Sequence, residues 1–158
     1  MISEIDLKHL ERSVELAEIA VIKGDEPFGS LLVSADGEVL FEGHNEVSGG
    51  DHTQHPEFNL ARWAANNMSV EERSKATVYT SGEHCPMCSA AHAWVGLARI
   101  VYASSSEQLV SWNQEMGKAQ SKVRNLPIQE VIRDAQVDGP VPELAERIRK
   151  LHIKSYKG

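Results

Sequence analysis

Near the start of the chain the apolar residues Leu7, Leu10, Val14, Ala17 and Val21 recur every three or four positions, the spacing that lines one face of an α-helix. Ser3 is placed to cap that helix and Gly24 to stop it. Phe28 to Ser34 and Glu38 to Gly43 are short apolar runs on either side of Ala35-Asp36-Gly37, a turn sequence that predicts a hairpin. Glu46 to Gln54 is polar and glycine-bearing and reads as a loop. A second helix is expected from Glu57 to Asn67, starting near His55, with Leu60, Trp63 and Ala64 as its apolar stripe. Ala76 to Thr80 and Arg99 to Ala103 read as buried strands flanking a helix from Pro86 to Val95, a β-α-β unit whose strands are parallel. Short helices are expected at Glu107 to Trp112 and Gln129 to Ala135. Gln136 to Val141 is a candidate fifth strand, and Pro142 to Tyr156 a last helix with Leu144, Ile148 and Leu151 on one side. Together they predict an α/β fold, a mixed sheet of about five strands between layers of helices. Trp63 and Trp94 fall on apolar helix stripes and are assigned to the core. The run Glu71-Glu72-Arg73 is read as solvated surface.

At 158 residues, with 41% hydrophobic and 25% charged residues, the chain has the balance of one soluble domain, and we expect residues 1–158 to form it. Its formal charge of -7, from 16 Lys and Arg against 23 Asp and Glu, argues against nucleic acid as a partner, because phosphate backbones are bound by clustered cations. No apolar run approaches the roughly 20 residues needed to span a bilayer. The opening MISEIDLKHLERS lacks the layout of a secretory signal, so a cytoplasmic, membrane-free location is expected.

The two cysteines, Cys85 and Cys88, form a single Cys-x-x-Cys, a pattern that serves either as a metal clip or as a redox couple. A strand, then Cys-x-x-Cys, then a helix is also the local layout of thioredoxin-like proteins, so the pair alone leaves both readings open. His55 and Glu57 change the balance. A dithiol oxidoreductase does not require His-x-Glu at the start of a separate helix, whereas zinc chemistry does use such a set. His55, Cys85 and Cys88 are three ligands for Zn2+, which leaves one position for water. Cys85 and Cys88 are one helical turn apart and so can meet one ion. Glu57, two residues past His55, is the candidate proton carrier. His44, His52, His84 and His92 remain candidates for a fourth, closing ligand of a purely structural site.

His55-Pro56-Glu57 followed by Cys85-Pro86-Met87-Cys88 resembles the paired signature of the cytidine deaminase superfamily of zinc deaminases. Pro27-Phe28-Gly29, Gly43-His44-Asn45 and Thr80-Ser81-Gly82-Glu83 resemble its guanine deaminase and tRNA adenosine deaminase branch. The similarity runs from about Leu7 to Ala103. It implies a three-layer α/β/α fold, a resident Zn2+, Glu57 as general acid/base, and assembly as a homodimer. It also implies that Asn45 hydrogen-bonds the substrate, although an Asn after a strand commonly just caps the loop. The implied reaction is hydrolytic loss of ammonia from a small heterocyclic base. A guanine-like ring is favoured and a cytosine-like or aminotriazine ring is possible. Deamination of adenosine in tRNA and a non-enzymatic zinc-stabilised binding module stand as alternatives.

The family usually has proline immediately before its first cysteine, and this chain has His84 there. That places a histidine at the expected rim, where it is a candidate contact for the ring or the departing amine. Trp112, past the last matched strand, either stacks on a flat ring or fills core. Of the four candidate closing histidines His92 is disfavoured as a ligand, lying seven residues past Cys85 on its helix, and Glu83 is expected to face solvent or to sit behind the site with its backbone carbonyl lining it.

Overall fold

The computed structural model describes residues 1–157. Helix α1 (Glu4–Ile22) starts on a reciprocal cap: the Asp6 backbone N–H donates to Ser3 Oγ at 3.1 Å, and the Ser3 N–H donates to the Asp6 carboxylate at 2.9 Å. Two donors that the first turn leaves without partners are thereby satisfied. Strands β1 (Gly29–Val33) and β2 (Val39–His44) follow as an antiparallel hairpin. Gly37 takes φ +88° in its turn, a conformation that costs other residues a steric clash. After a short 3-10 turn at Val47–Gly49 come α2 (Pro56–Asn67), α3 (Val70–Ser74), β3 (Thr77–Gly82), α4 (Pro86–Trp94) and β4 (Arg99–Ser104). The last third holds α5 (Ser106–Glu115), α6 (Ile128–Val131), β5 (Val137–Asp138) and α7 (Pro142–Lys157).

The five strands form one mixed sheet in the order β2-β1-β3-β4-β5, antiparallel from β2 to β3 and parallel from β3 to β5. Strands β1, β3 and β4 are covered on both faces, which is why their sequences read as continuous runs and not as alternation. Leu31, Tyr79 and Val101 point into a core closed by α1, α5 and α7. Leu32 and Val78 point the other way, onto Leu60 and Ala64 of α2, and Ile100 and Tyr102 pack on Ile128 of α6. The result is a three-layer α/β/α sandwich. Gly29 lets β1 approach α1 closely: a Cβ there would collide with the Ser13 carbonyl and the Ala17 backbone nitrogen of α1. At the other end of α1, Arg99 bridges Asp6 and Asp138 while Tyr79 Oη donates to Asp6 at 2.6 Å. These contacts hold Asp6 well below the usual carboxylate range, Arg99 being the chief cause.

Several expectations are corrected. Trp94 is 89% exposed and not core. It lies on a face of α4 with Met87 and Ala90, while Cys88, Ser89 and His92 form the buried face. Leu7 is also exposed, so the buried stripe of α1 runs through Leu10, Val14 and Ala17. The charge run at Glu71 is solvated as expected but is itself helical, because Ser69 and Glu72 form a second capping box. The helix expected over Gln129 to Ala135 is a single turn, and the fifth strand is two residues long. No helix among the described residues is long and apolar enough to cross a membrane.

Candidate metal centre and active site

Two helix starts converge on one point. His55 is the N-cap of α2 and Cys85 the N-cap of α4, each in extended backbone and each followed by a proline in the first helical turn. Proline suits that turn because the N–H it lacks has no partner in the helix. Cys88, one turn further along α4, is fully buried. His55 Nδ1 lies 3.5 Å from Cys85 Sγ and 3.6 Å from Cys88 Sγ, and the three ligand atoms lie within 4.8 Å of one another. A tetrahedral zinc, about 2.0–2.1 Å from nitrogen and about 2.3 Å from sulfur, calls for nitrogen-to-sulfur separations of about 3.5 Å. The donor set therefore fits zinc in both chemistry and spacing.

The electrostatics favour an anionic sulfur on Cys85. A hydrogen bond with Cys88, and His55 beside it, hold the Cys85 thiol well below its ordinary range. The same sulfur contact, together with burial, pushes Cys88 upward. His55 is raised, chiefly by its hydrogen bond with Cys85. The unpaired N–H groups and dipole at the start of α4 add to the preference for a thiolate.

Glu57 lies in the first turn of α2 and is 5% exposed. One of its oxygens, Oε1, is 2.9 Å from both the Ser30 hydroxyl of β1 and the Thr80 hydroxyl of β3, which are themselves 2.8 Å apart. Ser30 and Thr80 are paired neighbours in the sheet and face α2. Burial raises the carboxyl pKa, opposed by His55 and by the two hydroxyls. Burial thus favours the protonated carboxyl, which suits a group that takes up a proton and passes it on.

The other candidates are dispersed. Asn45 is 1% exposed, with Oδ1 accepting from the backbone N–H groups of Glu26 and Val47 at 3.3 and 3.1 Å. What it has left to offer is its amide N–H2. His84 does not stand at the rim. It is 1% exposed, edge-on to His92 at 5.4 Å between ring centroids, because the backbone that turns Cys85 toward His55 sends the preceding side chain the other way. Trp112 is 9% exposed and packs among Leu10, Tyr79 and Leu144 with α1 and α7, on the face of the sheet opposite Glu57. It fills core, and His152 lies against it at 5.9 Å. His92 is buried and bonds the Ala98 carbonyl at 2.8 Å, away from the ligand cluster. Ser30 and Thr80 escaped sequence reasoning, although a hydroxyl in the middle of a buried strand is a signal worth following. The sequence singles out Glu83, but not the two elements that its carboxylate holds.

Residues 3–104 match the family model for the cytidine and deoxycytidylate deaminase zinc-binding region. The chain belongs to this zinc deaminase family. It is similar to a probable cytosine deaminase of Schizosaccharomyces pombe, 33% identical over 117 residues that cover 74% of this chain and 71% of that protein. It is also similar to the guanine deaminase of Bacillus subtilis, 36% identical over 60% of this chain and 62% of the relative. A tRNA-specific adenosine deaminase of Haemophilus influenzae is 32% identical over 65% and 60%. The solved guanine deaminase of Nitrosomonas europaea superposes with a TM-score of 0.66 at 16% identity, covering 97% of this chain and 86% of that one. This last likeness is of fold. Members of the zinc deaminase family are hydrolases acting on C–N bonds, and His55, Cys85 and Cys88 are positioned to bind a metal ion.

Proposed function

We propose that the protein is an aminohydrolase that replaces the exocyclic amine of a small heterocyclic base with oxygen, and that its ring is guanine-like, with cytosine-like and aminotriazine rings next in order. The observation that carries this reading is the Glu57 carboxyl, buried beside the metal ligands with one oxygen fastened and the other free of those hydroxyls. Zinc in a three-ligand site supplies acidity, lowering the pKa of water in its open position to about 7. Glu57 takes one proton from the attacking water as oxygen bonds to the ring carbon, and passes it to the adjacent ring nitrogen. It takes the second proton and delivers it to the amine, so that the C–N bond breaks and ammonia leaves. Ser30 and Thr80 orient the carboxyl, and Asn45 donates its amide N–H to an acceptor on the ring.

The test is bound zinc together with ammonia release from a panel of free bases, aminotriazines and nucleosides, run beside Glu57→Gln. Zinc near one per chain, turnover of one ring class and none by the variant support the reading. Turnover that survives Glu57→Gln overturns it.

One observation favours the tRNA adenosine reading as the second choice. Residues 116–129 carry Lys118, Lys122 and Arg124 and no acidic residue, despite the negative charge of the whole chain. Inosine formation in an adenosine-bearing tRNA hairpin, without activity on free bases, would establish it. We also infer a homodimer from Trp94, exposed at the end of α4, a helix without Asp, Glu, Lys or Arg. Light scattering should show a dimer, and Trp94→Glu a monomer.

A further inference from the structure

Glu83 lies between the end of β3 and Cys85, and its backbone N–H extends the parallel ladder by donating to the Ser104 carbonyl at 2.8 Å. Its carboxylate spans two elements that are far apart in sequence. One oxygen accepts from the Ser106 N–H at 2.9 Å and the Ser106 hydroxyl at 3.1 Å, and the other accepts from the Ile128 N–H at 2.8 Å. Ser106 is the first residue of α5 and Ile128 the first of α6, so both N–H groups belong to helix starts that lack intrahelical partners. One carboxylate thus closes both ends of the excursion from 106 to 128.

The path of that excursion gives the closure a role. Trp112 of α5 is packed in the layer of α1 and α7, whereas Ile128 of α6 packs on Ile100 and Tyr102 on the opposite face of the sheet. Residues 116–127 therefore pass from one layer to the other, and both ends of the excursion are fastened at the edge where β3 gives way to the cysteine loop. Between those ends the chain is mostly exposed and its hydrogen bonds are local, such as Leu126 N–H to the Arg124 carbonyl and Val123 N–H to Ser121 Oγ. Beyond Met116 on the core and Lys118 over the Tyr156 ring, its placement depends on how its ends are held.

We propose that Glu83 is a positioning residue that fixes the 106–128 excursion as one wall of the substrate pocket relative to the metal-binding loop, so that it sets substrate affinity without touching the reacting atoms. This rests on the aminohydrolase reading. A carboxylate suits the task because it offers an acceptor on each oxygen and carries charge between two helix starts. Glutamine keeps one acceptor and turns the other into a donor facing an N–H.

The test compares the wild-type zinc enzyme with Glu83→Gln and Glu83→Ala by amide hydrogen exchange and by steady-state kinetics on the substrate found in the panel. Losing charge-assisted hydrogen bonds of this kind should raise exchange around 106–110 and 126–130 by about tenfold or more, leaving β1, β3 and β4 protected. KM should rise about tenfold with kcat within about threefold and zinc near one per chain, and Glu83→Gln should fall between wild type and Glu83→Ala. Unchanged exchange or unchanged KM overturns the proposal. So does joint loss of zinc, kcat and affinity, which would make Glu83 a support for the metal loop. If the wild-type protein itself releases no ammonia from any substrate, the aminohydrolase reading fails and this proposal with it. An active wild type with an indifferent Glu83 overturns this proposal alone.

Discussion

The hydroxyl of Ser30 lies 2.9 Å from Oε1 of Glu57 and 2.8 Å from the Thr80 hydroxyl, so a residue of β1 aims a carboxyl carried by α2. Removing a hydrogen bond to a charged or reacting group costs about 1.5–3 kcal/mol, roughly tenfold to a hundredfold in rate. Ser30→Ala should lower kcat by that factor with bound zinc unchanged, as read by ammonia release and metal analysis on one preparation. Loss of zinc from this variant would show that Ser30 supports the ligand cluster instead.

His55 at the start of α2 and Cys85 and Cys88 at the start of α4 would share one ion, so bound zinc should stabilise the fold as well as serve the chemistry. Chelation should lower the melting temperature of the wild type, with recovery on adding zinc back. Cys88→Ala should melt near the chelated wild type and no longer respond to chelator. A melting temperature indifferent to chelator in the wild type would contradict this.

Burial holds His92 at about 4 and His152 at about 3, down from an ordinary 6.5. The unfolded chain binds protons on these rings as pH falls below 6.5, while the folded chain does not until much lower pH. Their contribution is complete above about pH 6.5 and is lost progressively as pH drops toward 4. Urea unfolding at about pH 7.5 and about pH 5 should show the weaker fold at the lower value. His152→Phe, which removes one of these rings, should reduce the difference.

Gly29 leaves no room for a methyl group against Ser13 and Ala17. Forcing one in should separate α1 from β1 at a cost of about 1–3 kcal/mol. Equilibrium denaturation of Gly29→Ala should show this loss, whereas Gly49→Ala, at an open position without a positive φ, should leave stability nearly unchanged.

The site was legible in the sequence where its chemistry demands fixed local spacing. A ligand and a proton carrier two residues apart, and two thiols one helical turn apart, leave a pattern that survives without coordinates. The order of the major elements was legible for a similar reason, since periodicity and turn residues are local. Helix phase was not. Along α4, Cys85, Cys88, Ser89 and His92 share one spacing, and Met87, Ala90, Ala91 and Trp94 share the same spacing one face around. With no charged residue to mark the wet side, the pattern gave no reason to place Trp94 in solvent and His84 in the interior. Trp112 was ambiguous because only the tertiary path decides which face of the sheet α5 covers. Ser30 and Thr80 were hidden inside strands whose neighbours are all apolar or small, and the partner that explains them comes from a different helix.

Because the chain leaves the body of the protein at Ser106 and comes back to the same carboxylate at Ile128, the intervening stretch behaves as an exchangeable cassette. A replacement has to match the framework at its two end N–H groups and where Leu109, Trp112 and Met116 pack on the core, while the metal ligands and Glu57 stay on the helices that precede it. On the proposed role of Glu83, such a scaffold can diversify by splicing between two sockets, with the reaction kept on the framework and the choice of ring rewritten in the insert.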